Sequence, residues 1–180
     1  MKIKVLEKTP GCMPEILKVG DWIDLRTAKD IHLAAPYANT LHRKRYKNSD
    51  DSTAFRDVQF HYTMIPLGVA IGLPKGYEAY LLPRSSTFKN YGVLQTNSRG
   101  IIDYSYCGNN DEWKLPVVST REVTIPKGTR IAQFRIQLSQ KATVWQKLRW
   151  LFTSKIKLER VSSLSDNDRG GFGEGTKNNN

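Results

Sequence analysis

Residues 58–84 read VQFHYTMIPLGVAIGLPKGYEAYLLPR. Apolar, β-branched and aromatic residues come in short runs, and each run is cut by Pro or Gly, the pattern of strands joined by tight turns. Pro74-Lys75-Gly76 closes one run and opens the next. The same triplet recurs at Pro126-Lys127-Gly128, so the two are expected as matching turns of a meander or jelly roll. Working outward, Lys2–Glu7 alternates basic and apolar residues, while YGVLQT (91–96), KLPVVST (114–120), EVTIP (122–126) and IAQFRIQL (131–138) are further strand-like runs. Long helices do not alternate with these strands, which disfavours a βαβ nucleotide fold. The fold class is all-β.

Two segments break the pattern. Tyr37–Phe55 is polar and charged, with Arg43, Lys44, Arg45 and Lys47 clustered, and its plainest reading is a solvated loop. In Ala142–Phe152, Val144, Trp145, Leu148, Leu151 and Phe152 share one face at helical spacing, with Lys147 and Arg149 off it. Such a basic amphipathic helix could lie on a membrane or a nucleic acid, but the ordinary expectation is packing on its own barrel or a neighbouring subunit. The C-terminal stretch SDNDRGGFGEGTKNNN (165–180) has four glycines and one aromatic residue and is expected to be mobile. The chain therefore reads as one barrel domain over 1–165, with insertions near 37–55 and 142–156, followed by a mobile glycine-rich tail over 166–180.

Composition narrows the chemistry. The 180 residues are 39% apolar and 25% charged, with 13 Gly and 8 Pro, which is the make-up of a folded domain. A formal charge of +11 calls for an anionic partner. No apolar run approaches the roughly 20 residues of a membrane span, and the first residues lack an apolar signal segment, so the expected location is cytoplasmic, with no membrane among the expected partners. Cys12 and Cys107 form no CxxC pair, and His32, His42 and His61 fall in no metal-binding spacing. Without a GxSxG elbow, a serine hydrolase is unsupported. Hydrolysis here would rest on carboxylates, arginines and a borrowed metal.

Four stretches carry residues that a core does not ask for. Pro83-Arg84-Ser85-Ser86 follows a strand and offers a guanidinium fork and two hydroxyls to phosphate oxygens. Asn97-Ser98-Arg99-Gly100-Ile101-Ile102-Asp103-Tyr104-Ser105-Tyr106-Cys107-Gly108 has a glycine for close backbone approach. An aspartate then follows two isoleucines read as a buried anchor, a candidate general base or else a strand-ending Asx-turn. Gly128–Gln133 puts a polar Gln133 in an apolar strand, and Arg169–Thr176 is a glycine loop with one basic and one aromatic residue, suited to a phosphate contact and base stacking.

With Asp24-Leu25-Arg26-Thr27-Ala28, these stretches resemble, in order and spacing, the five motifs of the trimeric dUTP diphosphatases (dUTPases) from about Gly20 to Thr176. The third, N-x-x-G-I-I-D-x-x-Y-x-G, is the specific one. The resemblance implies a jelly-roll-like β-barrel, a homotrimer whose active sites draw motifs from three subunits, and hydrolysis of dUTP to dUMP and pyrophosphate. Asp103 would activate a water for attack on the α-phosphorus. Tyr106 would lie under the deoxyribose, and Asn97 with the nearby backbone of Gly100, Ile101 and Ile102 would bind the uracil side of the substrate. Arg84, Ser85, Ser86, Gln133, Arg169 and Thr176 would attend the phosphates, and Phe172 would stack on the uracil. Mg²⁺ would ride on the triphosphate with Asp24 near its water shell.

The chain departs from the family pattern in the fifth motif, which is two residues short and carries Glu174 in place of a hydroxyl. Asn109–Glu112 also lengthens the loop after the third motif. Two other readings remain: a dCTP deaminase, which is similar in fold and has an R-S-S motif, and a regulatory protein whose basic insertions bind nucleic acid or another protein.

Overall fold

A computed structural model describes residues 1–45, 52–152 and 155–170. Along the described chain run β1 (Lys2–Glu7), β2 (Glu15–Ile16), β3 (Ile23–Arg26), β4 (Ile31–Leu33), β5 (Tyr37–Arg45), β6 (Ser52–Gln59), β7 (Thr63–Pro66), β8 (Val69–Gly72) and β9 (Tyr77–Pro83). There follow α1 (Thr87–Tyr91), β10 (Val93–Gln95), β11 (Gly100–Asp103), β12 (Lys114–Ser119), β13 (Val123–Ile125), β14 (Arg130–Leu138), α2 (Val144–Phe152) and β15 (Lys157–Val161). The stretch 58–84 thus becomes the end of β6, then β7, β8 and β9.

The two P-K-G triplets are the same turn. Tyr77 N–H donates to the Pro74 carbonyl at 3.1 Å and Thr129 N–H to the Pro126 carbonyl at 3.2 Å. Gly76 and Gly128 sit at φ +89° and +79°, the left-handed third position that a type II turn reserves for glycine.

The strands make a jelly-roll-like barrel of small sheets. The largest has the order β11-β9-β14-β3-β2, all antiparallel, with β9 and β14 paired from Tyr77↔Leu138 to Pro83↔Ala132. Around it lie β15-β1-β8, β10-β12-β7 and β13-β4. Alternation drives burial: Tyr77, Ala79 and Leu81 point inward from β9, and Ile3 and Val5 from β1, while Lys2 and Lys4 point out. Fully buried Trp113 meets Phe134 edge-on at 5.1 Å in the core that these residues share. Because β15 runs parallel to β1, the chain after Val161 returns to the barrel wall.

Three expectations are corrected. The segment read as a solvated loop forms a hairpin, β5–β6, paired from Tyr37↔Gln59 to Arg45↔Ser52; residues 46–51 lie outside the described residues. The hairpin stands clear of the core, with Tyr37, Leu41 and Val58 all exposed, so no apolar alternation marked it in the sequence. A second helix, α1, was not foreseen, since five residues are too few to display an apolar period. The amphipathic helix α2 exists, but of its two expected partners, its own barrel and a neighbouring subunit, the first is overturned: Val144, Trp145, Leu148, Leu151 and Phe152 are all exposed on the single chain.

Candidate active site

Ile23 and Leu25 of β3 enter the core, so Asp24 between them must point to the opposite face. It is nevertheless only 2% exposed, because two guanidiniums cover it. Arg84 Nε donates to Asp24 Oδ1 at 3.0 Å and Arg130 Nη1 to Oδ2 at 3.4 Å. A carboxylate so buried has to be paired, and here the pairing aims both arginines. Gln133, opposite Asp24 in the β14–β3 register, donates its side-chain N–H to the Pro83 carbonyl at 3.3 Å. Arg84 and Ser86 are half-buried, and Ser85 is exposed in the turn into α1.

Asp103 ends β11 and pairs with Glu78 at the start of β9. Its Oδ1 accepts the backbone N–H of Ser105 at 2.8 Å and the Ser105 hydroxyl at 2.5 Å, and Oδ2 accepts Arg169 Nη1 at 2.6 Å. Partial burial pulls this carboxyl upward, but the hydrogen bonds from Ser105 and Arg169 outweigh it and hold the group below the ordinary carboxylate range. It is therefore ionised at neutral pH and able to accept a proton. The Asx-turn reading is met, since Ser105 caps one oxygen. Tyr106 is buried, its hydroxyl donating to the Glu112 carbonyl at 3.0 Å, which fixes the ring.

Ile101 and Ile102 are not both buried, as the sequence reading supposed. Ile102 is 4% exposed and Ile101 is 62% exposed, because neighbours on a strand face opposite ways. The space freed by Gly100 is taken by the protein itself, with Leu81 Cβ 3.2 Å from where a side chain would start. Asn97 is exposed in the turn before β11, its Oδ1 accepting Gln95 Nε2 at 2.6 Å; the same nitrogen donates to the Leu81 carbonyl at 3.2 Å. In that turn Ser98 adopts φ +54°, the left-handed region that a serine seldom takes.

The tail root is fastened where mobility was expected. Asp111, 1% exposed, accepts N–H groups from Gly108 at 2.8 Å, Arg169 at 3.0 Å and Gly170 at 3.2 Å. Asp168 accepts the backbone and side-chain N–H groups of Asn110 at 2.7 and 2.6 Å, which lower its pKa. Asn109 Oδ1 accepts Leu164 N–H at 2.8 Å. Gly108 permits the approach: a Cβ there would meet Asp168 Oδ1 at 2.2 Å. Phe172, Glu174 and Thr176 lie outside the described residues. Sequence reasoning missed Asp111, Ser105 and Arg130, and treated Asn109–Glu112 as mere loop length; its only local signal is turn chemistry.

The predicted residues thus gather in two groups. Asp24, Arg84, Gln133 and the Asn97 turn sit at the Pro83 end of β9. Asp103, Tyr106 and Arg169 sit at the Glu78 end. Five residue steps of strand separate Glu78 from Pro83, about 16 Å at roughly 3.3 Å per residue. Among the described residues no three acidic, His or Cys side chains gather in a way that could hold a metal ion. The guanidinium-rich end suits a polyphosphate, and with it a cation that takes its oxygens from phosphate and water.

A family model described as dUTPase matches residues 48–149. The SPbeta prophage-derived deoxyuridine 5'-triphosphate nucleotidohydrolase YosS of Bacillus subtilis is 40% identical over 178 residues, covering 98% of this chain and 99% of that protein. The deoxyuridine 5'-triphosphate nucleotidohydrolase of Finegoldia magna is 32% identical, covering 96% and 97%. Among solved structures, the dUTPase from Streptococcus mutans superposes with a TM-score of 0.59 at 18% identity, over 79% of this chain and 99% of that one. A variant dUTPase from phage phi11 of S. aureus, which coordinates a structural Mg(II) ion, gives 0.56 at 16% identity, over 79% and 94%.

Proposed function

The chain belongs to the dUTPase family and is a hydrolase of dUTP; from that premise we propose that it splits dUTP into dUMP and pyrophosphate at sites shared between three copies of itself. Water attacks the α-phosphorus, the bond to the α–β bridging oxygen breaks, pyrophosphate leaves, and Asp103 takes the water's proton. Ser105 and Arg169 keep that carboxylate ionised beforehand. Tyr106, fixed through Glu112, lies under the deoxyribose and leaves no room for a 2′-hydroxyl. Asn97 and the turn backbone near Gly100, Ile101 and Ile102 meet the uracil, where a polar edge penalises bases with the wrong donors. Mg²⁺, bound through the triphosphate, supplies charge neutralisation. Phe172 caps the base when the tail closes, and Thr176 joins the phosphate contacts.

One observation supports the sharing of sites. Asn97 and Asp103 bracket β11, so a nucleotide laid along that strand has its base at the Pro83 end and its α-phosphorus at the Glu78 end. Arg84 and Gln133 of the same chain are then at the base end, the wrong one for holding phosphates. On this reading the phosphate fork of Arg84, Ser85 and Ser86 comes from a second copy, and a tail from a third.

Subunit mixing tests this. Asp103→Asn and Arg84→Ala proteins are each expected to be nearly inactive. Unfolded together and refolded at equal amounts, they should regain roughly a quarter of wild-type turnover, because random assembly gives that share of sites both intact groups. No recovery would mean that each chain builds its own site. Running the wild type on dUTP, UTP, dCTP and dTTP, with pyrophosphate and base products assayed, separates this activity from deamination of dCTP.

A further inference from the structure

We propose that α2 is a docking face for an anionic lipid surface, attaching the protein peripherally to a bilayer rich in acidic headgroups. The helix is built to stand without burial. Thr143 and Gln146 form a reciprocal cap: Gln146 N–H donates to the Thr143 hydroxyl at 3.3 Å, and Thr143 N–H donates to Gln146 Oε1 at 2.7 Å. One narrow side holds it to the barrel. Gln146 Nε2 donates to the Lys75 carbonyl at 2.6 Å, and the Trp150 ring lies 5.6 Å from that of Tyr77.

At about 100° per residue, Leu151, Val144, Leu148, Phe152 and Trp145 fill an arc of roughly 120° directly opposite that side. Their exposures run from 42% for Leu148 to 86% for Phe152. Lys147 and Arg149 bound the arc on its two edges, and both are exposed. From Val123 to Leu158 the chain has eight Lys and Arg and no Asp or Glu.

These features choose among occupants. A second copy docked on the same face would bring the two cationic edges together without an acid on either helix to offset them. A nucleic acid would satisfy Lys147 and Arg149 but leave the apolar arc in water. An anionic bilayer satisfies both: the arc enters the headgroup–acyl boundary while the flanking cations meet acidic headgroups. No described helix is long and apolar enough to cross a membrane, so the attachment is to the surface.

The test is sedimentation of the full chain with vesicles of phosphatidylcholine alone or mixed with phosphatidylglycerol. The wild type should bind the mixed vesicles at least tenfold more tightly than the neutral ones. Trp145→Glu with Leu151→Glu should abolish that binding, and Lys147→Glu with Arg149→Glu should remove the preference for acidic lipid, all with unchanged dUTP turnover and oligomer mass. Equal binding of the wild type to both vesicles would overturn the proposal. So would loss of oligomer mass in the apolar double variant, which would make this face a subunit contact. Binding to a DNA duplex without binding to vesicles would transfer the helix to nucleic acid.

Discussion

The two ends of β9 use charge in opposite ways. At the Pro83 end a buried carboxylate, Asp24, is spent on two arginines, and its job is to aim them. At the Glu78 end a half-exposed carboxylate, Asp103, is kept ionised by a serine and an arginine but remains open to solvent. One acid is structural and the other is, in the proposed mechanism, reactive, although both stand in aspartate motifs and both touch guanidinium. Burial separates them: Asp24 is closed off by its two arginines, whereas Asp103 stays open at the rim.

Substitution should expose that difference. Asp103→Asn should lower turnover by about a thousandfold, the scale of losing a positioned base, while its unfolding midpoint stays near the wild type's. Retained turnover would place the base elsewhere. Asp24→Ala should do the reverse first: two guanidiniums lose their buried partner, and denaturant titration should record a loss on the order of 3 kcal/mol. If Asp24→Ala unfolds like the wild type, its burial is not what holds Arg84 and Arg130.

The same contrast marks what could be read from the sequence. Strands and turns were legible because they are spelled locally: P-K-G demands its turn wherever it occurs, and the third motif announces Asp103. The helix period of α2 was legible too. Which side of that helix meets the barrel was not, because it depends on Lys75 and Tyr77, distant in sequence. The isoleucine pair misled for a related reason, since hydrophobicity names candidates for burial while strand alternation admits only one of two neighbours. Asp111 was invisible as a fastening because its partners are backbone N–H groups of Arg169 and Gly170, and a main-chain donor leaves no trace in the sequence.

Asp111 sharpens the comparison at the tail. Asp111→Ala leaves three backbone donors without an acceptor, that of Gly108 buried and those of Arg169 and Gly170 partly so, and frees the tail root from the loop after the third motif. The expected result is a roughly tenfold loss in kcat, larger than any rise in KM, because a tail that no longer starts in place closes less often on bound nucleotide. Limited proteolysis should cut the tail faster in this variant. Unchanged cleavage would show that Asn109 and Asn110 fasten it alone.

The smallest effect concerns Arg169. Its guanidinium and Ser105 lower the folded-state pKa of Asp103, so the ionised base survives to lower pH than an isolated carboxylate would. Arg169→Gln removes one of those donors, and the acid limb of kcat/KM against pH should move upward; Ser105→Ala should move it in the same direction. Stability follows the same sign. A depressed folded pKa contributes stability that is present above the unfolded value and is lost as pH falls through the folded one. Arg169→Gln should therefore unfold more easily than the wild type at pH 7 and equally easily once Asp103 is protonated. With both side chains about half exposed, screening keeps that difference to about 0.5 kcal/mol or less. An acid limb unmoved by either variant would mean that Asp103 is not the group titrating in catalysis, and the division of labour between the two ends of β9 would fail with it.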